Sequence, residues 1–384
     1  MTYQESVNPV SLTAELIRCP SVTPAEAGTL ELLQIRLEDA GFDCERIDRN
    51  GVSNLYAKWN GGGHGPIFGF NGHTDVVPPG DVSAWSFDPF SGDIADGWIL
   101  GRGAVDMKSG VAAFVCAAID FVRTHPKAGS IAITVTGDEE GQATDGTVAI
   151  LDWMRAQGET MDVCLVGEPT SQNELGDEVK IGRRGSLTAY FTAYGKQGHS
   201  AYPHKAKNPV PVIAWLVDRL SHTPLDQGTE NFAPSTLVVT GIDTNNQASN
   251  VIPLTCRAMA NIRYNDLHDT TRLIDWLWQQ KEAAETTFGM RIDMEQQLSG
   301  DCFLTPPGPL SDLVVSAIEA KCQQQPMLST SGGTSDARFI KDICPVVEFG
   351  LCNTTMHEID ERVRVQDIER LRDIYYEILD RYFS

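Results

Sequence analysis

Hydrophobic and polar positions follow two different plans along this chain. From the start to about Glu178, short apolar runs of strand length alternate with segments of helical period. The runs are Pro66–Asn71, Ser130–Thr136 and Asp162–Val166. The helical segments are Ser11–Arg18, Ala25–Ala40 and Ser109–Val122. The last carries Val111, Ala112, Val115, Ala118, Ile119 and Val122 at helical spacing, with Ser109 placed as an N-cap. Strands alternating with helices predict an α/β fold, a mixed sheet flanked by helices.

The middle third changes character. It reads as strand Gly185–Tyr194, helix Pro209–Ser221, strands Ser235–Ile242 and Leu254–Tyr264, helix Thr270–Glu282 and strand Arg291–Gln296. That order, βαββαβ, is ferredoxin-like and forms a domain by itself. Helix Leu310–Cys322, strand Val346–Phe349 and helix Val365–Tyr382 then resume the first plan. The expected organisation is a catalytic domain of residues 1–180 and 299–384, interrupted by a lid or dimerisation domain of residues 181–298. A chain of 384 residues is long enough for two cores.

Charge and cysteine usage narrow the function classes. A formal net charge of -22 argues against nucleic acid and anionic membrane as partners. The nine cysteines are odd in number and lack paired spacing, which argues against a disulfide framework. No apolar run is long enough to span a bilayer, and Met1–Ser6 lacks the basic, apolar start of a secretory signal. Together these predict a cytoplasmic protein acting on a small molecule.

Potential metal donors fall at five revealing places. His73 follows the first strand in Gly72-His73-Thr74-Asp75; Glu139 and Glu140 follow the second in Asp138-Glu139-Glu140. Glu168 follows the third in Gly167-Glu168-Pro169, and His357 lies a few residues past Val346–Phe349. Asp106 sits just ahead of the Ser109–Val122 helix. Open α/β sheets gather ligands beyond the carboxyl ends of their strands, so these positions are expected to converge. Two histidines with several carboxylates suit zinc or a similar ion, and a donor set this acidic suits two ions sharing a bridge. Each donor alone has a plainer reading, as a helix cap, a solvated charge or a loop histidine. Adjacent Asp138, Glu139 and Glu140 repel one another unless a cation compensates them.

The blocks Gly72-His73-Thr74-Asp75-Val76-Val77-Pro78, Gly101-Arg102-Gly103-Ala104-Val105-Asp106-Met107-Lys108, Asp138-Glu139-Glu140 and Gly167-Glu168-Pro169 resemble, in order and spacing, the M20 family of di-zinc peptidases and deacylases. Four further blocks narrow the resemblance: Lys180–Ser186, Gly198–His204, Gly332–Asp336 and Asn353–His357. They resemble the branch that removes the succinyl group from N-succinyl-LL-2,6-diaminopimelate, a step of lysine and diaminopimelate biosynthesis. The resemblance implies two Zn2+ per subunit, with Co2+ an option at one position. His73 and Glu168 would hold one ion, His357 and Glu140 the other, and Asp106 would bridge them. Asp75 would orient His73, and the peptide after Asp106 would be cis. Glu139 would be the general base, taking a proton from the attacking water and passing it to the departing amine. His199 would steady the oxyanion, reaching in from the inserted domain of this subunit or of a partner in a homodimer.

A substrate with several carboxylates needs local positive charge in so acidic a chain. Arg183, Arg184 and Arg263 are the natural suppliers, since a guanidinium grips a carboxylate through two hydrogen bonds. By resemblance Arg183 and Arg263 bind substrate, assisted by Tyr202, Asn250 and Thr334. One departure is that Ser249 stands where the family often has a first asparagine before Asn250-Val251-Ile252-Pro253. His64, His125, His204, His222 and His268 read as surface or structural residues, and the cysteines as small buried hydrophobes. The exposed strand edges of the ferredoxin-like domain offer a dimerisation surface. Rival readings are another member of the family, such as an acetylornithine deacetylase, an aminoacylase or a dimetal carboxypeptidase. A more distant one is a non-catalytic ligand-binding protein, which would be expected to lack Glu139. A dinucleotide fold is disfavoured because Asp106 occupies the place of the last glycine of a GxGxxG.

Overall fold

The computed structural model describes residues 8–62, 65–127 and 129–384. The leader reading of Met1–Ser6 and the assignment of His64 fall outside them. The chain divides into two compact units. One is the chain up to Ile181 with Thr305–Ser329 and Ser335–Ser384; the other is Gly182–Leu304 with Thr330–Thr334.

The first unit is built on an eight-stranded mixed sheet. Its strands, in spatial order, are Asp43–Arg46, Leu55–Asn60, Ser130–Thr136, Ile67–His73, Val163–Val166, Val346–Glu348, Glu178–Lys180 and Met327–Ser329. The central four, from Ser130–Thr136 to Val346–Glu348, run parallel, so their carboxyl ends share one edge. All seven residues of Ser130–Thr136 are buried, as expected of a strand covered on both faces. Helix Lys108–Thr124 buries 14 of its 17 residues, because alanines and glycine on several sides let neighbouring elements close in. Phe114 of this helix stacks on Phe70 of the sheet with ring centroids 3.9 Å apart. Tyr375 of the closing helix Val365–Phe383 meets the Phe114 ring at 5.6 Å and donates its hydroxyl to the Phe349 carbonyl.

Several sequence boundaries move for identifiable reasons. The first helix is Pro9–Ile17, starting earlier because Asn8 accepts from the amides of Val10 and Ser11 and Pro9 suits the first turn. The Ser109 cap is a correction. The helix already begins at Lys108, and Ser109 instead donates its hydroxyl to the Ala104 carbonyl. Helix Thr270–Phe288 outruns its expected end and stops at Gly289, whose left-handed φ of 58° ends the turn. The strands Asp43–Arg46, Leu55–Asn60, Glu178–Lys180 and Met327–Ser329, together with helix Thr147–Gln157, are not in the sequence reading.

The second unit has the chain order strand Gly185–Tyr194, helix Val210–Ser221, strands Thr236–Asp243 and Thr255–Tyr264, helix Thr270–Phe288 and strand Ile292–Gly300. The sheet is antiparallel, with Thr236–Asp243 at one edge and Ile292–Gly300 at the other. This is the ferredoxin-like arrangement. Leu187, Phe191, Ile213, Leu216, Ile262 and Leu277 form its core between the sheet and its two helices. The sequence reading closed this domain at residue 298 and left Thr334 outside it; the structure carries it to Leu304 and adds the Thr330–Thr334 loop.

Candidate metal centre

Five candidate donors come together in the first unit, three of them at or just past the carboxyl ends of the parallel strands, with Asp106 from the turn before helix Lys108–Thr124 and His357 from a loop. His73 is the last residue of its strand, paired with Thr136 of the neighbouring strand and 1% exposed. Its Nδ1 donates to the Asp75 carbonyl at 2.9 Å, which fixes the ring and turns Nε2 toward Asp106 Oδ1 at 3.1 Å and Glu168 Oε1 at 3.8 Å. His357 Nε2 lies 3.2 Å from Asp106 Oδ2 and 2.8 Å from Glu140 Oε1. The two oxygens of Asp106 thus face two different histidines, and each histidine has a further carboxylate of its own. Ligand atoms of His73, Asp106 and Glu140 all lie within 4.8 Å of one another, as do those of His73, Glu139 and Glu168.

The backbone allows this convergence through close packing. The Asp106–Met107 peptide is cis, as the resemblance implies. The Met107 side chain fills a hollow where Cβ atoms on Gly72 and Gly167 would lie 2.7 and 2.8 Å from its methyl carbon. Those glycines directly precede His73 and Glu168. A Cβ on Gly110 would fall 2.6 Å from the Gly167 carbonyl. Lys108, fully buried, ties the start of its helix to the carbonyls of Leu16 and Cys19 at 2.9 and 2.8 Å. Burial lowers its ammonium to about 7.

Asp75 does more than the sequence reading assigned. Its carboxylate accepts from the amides of Glu139 at 3.3 Å and Glu140 at 3.1 Å, so one side chain positions the base candidate and a donor. Its own Oδ1 is 3.6 Å from His73 Nδ1, and the closer support to that ring is its backbone carbonyl. Asp138, by contrast, accepts from the amides of Gln142, Thr144 and Asp145 and shapes the loop. Sequence reasoning missed Glu361. Its buried carboxylate accepts from the amides of Gly103, Val105 and Asp106 and pairs with Arg102. The one signal available was its place four residues past His357.

The electrostatics describe a site built for cations. Burial pushes Glu139 well above the ordinary carboxylate range, with Glu168 beside it adding to the effect. Burial likewise raises Asp75 to about 6. Burial alone would lower His73, but its hydrogen bond to Asp106 and the charges of Glu168 and Asp106 hold it protonated well above its usual value. His357 is raised to about 10 by hydrogen bonds to Asp106 and Glu140. With no metal between them, the imidazoles serve as the cations for the carboxylates. The donor types, their burial and the shared Asp106 fit a pair of divalent ions.

The remaining predicted residues lie in the second unit. Arg183 is 8% exposed and donates to the Ser331 carbonyl at 3.4 Å, inside the loop that also holds Thr334. Arg263 donates to Asn261 at 3.1 Å, and Arg184 close by lowers its pKa after burial. His199 and Tyr202 are exposed with ring centroids 5.8 Å apart, and Ser200 donates its amide to the Asn250 carbonyl. His204 stands with Tyr202 at a ring distance of 6.4 Å. His125 pairs with Asp380 at 3.3 Å and His268 with Asp226 at 2.9 Å, while His222 contacts Asp218 on its own helix.

Comparison with known proteins agrees with the geometry. The model of peptidase family M20/M25/M40 matches residues 69–381. A succinyl-diaminopimelate desuccinylase of Cereibacter sphaeroides is 61% identical over 380 residues, covering 98% of this chain and 100% of that one. Among solved structures, an M20 family metallo-carboxypeptidase of Sulfolobus solfataricus superposes with a TM-score of 0.81 at 16% identity, covering 97% of this chain and 99% of that one. A dinuclear metal-binding M20 peptidase of Bacillus subtilis does so at 0.73 and 13%, covering 98% and 97%. The chain belongs to peptidase family M20/M25/M40.

Proposed function

We propose that this protein hydrolyses N-succinyl-LL-2,6-diaminopimelate to succinate and LL-2,6-diaminopimelate, in diaminopimelate and lysine biosynthesis. The observation that carries the reaction class is the shared Asp106, whose two oxygens face His73 and His357. The succinyl substrate is favoured by the name and the 61% identity of the Cereibacter sphaeroides relative. His73 and Glu168 would hold one Zn2+, His357 and Glu140 a second Zn2+ or a Co2+, and Asp106 would bridge. Such a pair would make the attacking water more acidic and polarise the amide carbonyl.

The chain's own groups do the rest. Glu139, kept basic by burial and neighbouring charge, accepts a proton from the attacking water. The water oxygen bonds to the succinyl carbonyl carbon, and His199 donates to the oxygen that becomes negative. Glu139 returns the proton to the amine nitrogen as the C–N bond breaks, and both products leave. Arg183 and Arg263 grip carboxylates of the substrate, with Tyr202, Asn250 and Thr334 as polar support. The reading includes a cytoplasmic homodimer. The edge strand Thr236–Asp243 supports pairing, with Val238 and Ile242 each 56% exposed on an otherwise unpaired ladder.

The test is a comparison of kcat/KM on N-succinyl-LL-2,6-diaminopimelate and N-acetylornithine with zinc-loaded protein. A preference of at least about a hundredfold for the succinyl compound is expected, from two bidentate carboxylate contacts. Preference for acetylornithine would keep the dimetal site and overturn the substrate.

A further inference from the structure

We propose that Glu361, with Arg102, is a positioning residue that selectively sets the affinity of the His357–Glu140 ion position. Four hydrogen bonds converge on its carboxylate from a segment about 255 residues away in sequence. Oε1 accepts from the Val105 and Asp106 amides at 2.8 and 3.2 Å, and Oε2 from Gly103 and Arg102 Nη1 at 3.1 and 2.6 Å. Glu361 is 0% and Arg102 3% exposed. Arg102 lies over the Trp85 ring at 5.2 Å and donates through Nη2 to the His357 carbonyl at 3.4 Å. One buried ion pair therefore joins the Asp106 turn to the His357 loop.

The asymmetry comes from what anchors each donor. His73 ends a strand paired on both sides, and Glu168 follows a strand in the centre of the sheet. His73 is held by Asp75, Asp106 and Glu168 and not by the Glu361–Arg102 pair among the described residues. Asp106 is also held by buried Met107 and Lys108 beside it. His357 lies in a loop, 43% exposed and at a left-handed φ of 62°. Among the described residues its ring faces Asp106 and Glu140, and its own carbonyl is held by Arg102, itself fixed by Glu361. The rest of the loop is tied through Thr355 to Arg362 and through Asp360 to Ser86. Loosening the pair frees His357 first.

This rests on the reading of the five donors as a two-ion site, and the experiment separates the two failures. Metal-stripped full-length protein is titrated with Co2+, following heat and the visible absorption of the ion. The parent should show two binding events, one removed by His73→Ala and the other by His357→Ala. Glu361→Gln presents an amide NH2 to at least two of the four donors. It should weaken the His357 event by 10–100-fold and leave the other within about threefold. Arg102→Lys, which keeps the charge but loses the fork, should act in the same direction and serves if Glu361→Gln fails to fold. In a His357→Ala background Glu361→Gln should add almost nothing. Equal weakening of both events, no weakening, or full additivity with His357→Ala overturns the proposal. A parent that binds no pair of ions overturns the two-ion reading itself.

Discussion

Glu139 and His357 are the two side chains whose protonation decides what the centre can do. Glu139 is close enough to His73 and Glu168 to be taken for a ligand. Glu140, one residue on, is the carboxylate in contact with His357. If Glu139 is the base, Glu139→Gln should lower kcat by about 10²–10⁴-fold with two ions still bound; loss of an ion by elemental analysis would make it a ligand instead. His357 gives the pH prediction. Its folded value, about 10 without metal, lies above the ordinary 6.5. Its contribution to the stability of stripped protein is therefore full below about 6.5 and is lost as pH rises through about 10. Conversely, metal must displace that proton near pH 7, so loading should release protons. Calorimetry in buffers of different ionisation enthalpy reads this directly; a heat independent of buffer would contradict it. The five donors were legible because each stands in a short motif, four of them close to a strand or helix end and His357 in the loop that follows Val346–Glu348. Glu361 was not, because its partners are backbone amides, which leave no mark in the side-chain sequence.

Packing between elements places these donors, and glycine positions control it. The hollow for Met107 exists because Gly72 and Gly167 lack Cβ atoms. Gly167→Ala would force an overlap with Phe70 and Met107 in a close-packed interior and should cost about 1–3 kcal/mol in thermal or denaturant unfolding. Metal affinity should fall as well, since Glu168 is the next residue; unaltered affinity would show that its loop adjusts freely. In the second unit Gly332 has a φ of 100°, and a Cβ there would stand 2.6 Å from Arg183 Nη1. Gly332→Ala should therefore raise KM for the succinyl substrate by about tenfold or more with little change in kcat, as loss of a charged hydrogen bond would. Helical and strand periods located the long helices and the central strands of both sheets, mostly within a few residues. They failed for Asp43–Arg46, whose polar alternation is half exposed at the sheet edge, and for Met327–Ser329, three residues whose strand character comes only from pairing with Glu178–Lys180. They also failed at Ser109, where the turn around Asp106 starts the helix earlier than a side-chain cap would.

On the scale of the whole molecule, the βαββαβ order was readable from periodicity, while the Thr330–Thr334 loop joins that unit through contacts distant in sequence. No helix among the described residues is long and apolar enough to cross a membrane. Pairing through the Thr236–Asp243 edge should give a dimer in sedimentation at micromolar concentration, and Val238→Lys should shift it toward monomer; a parent that sediments only as monomer would remove the pairing. The claim on which the rest depends is that the five donors hold two ions needed for amide hydrolysis. Its most direct test is to strip the protein with chelator, add Zn2+ back in measured equivalents and follow hydrolysis of N-succinyl-LL-2,6-diaminopimelate. Activity should be absent in the stripped protein and reach its plateau at two equivalents per chain. Full activity in stripped protein, or a plateau at one equivalent with no further gain, would contradict a two-ion centre bridged by Asp106.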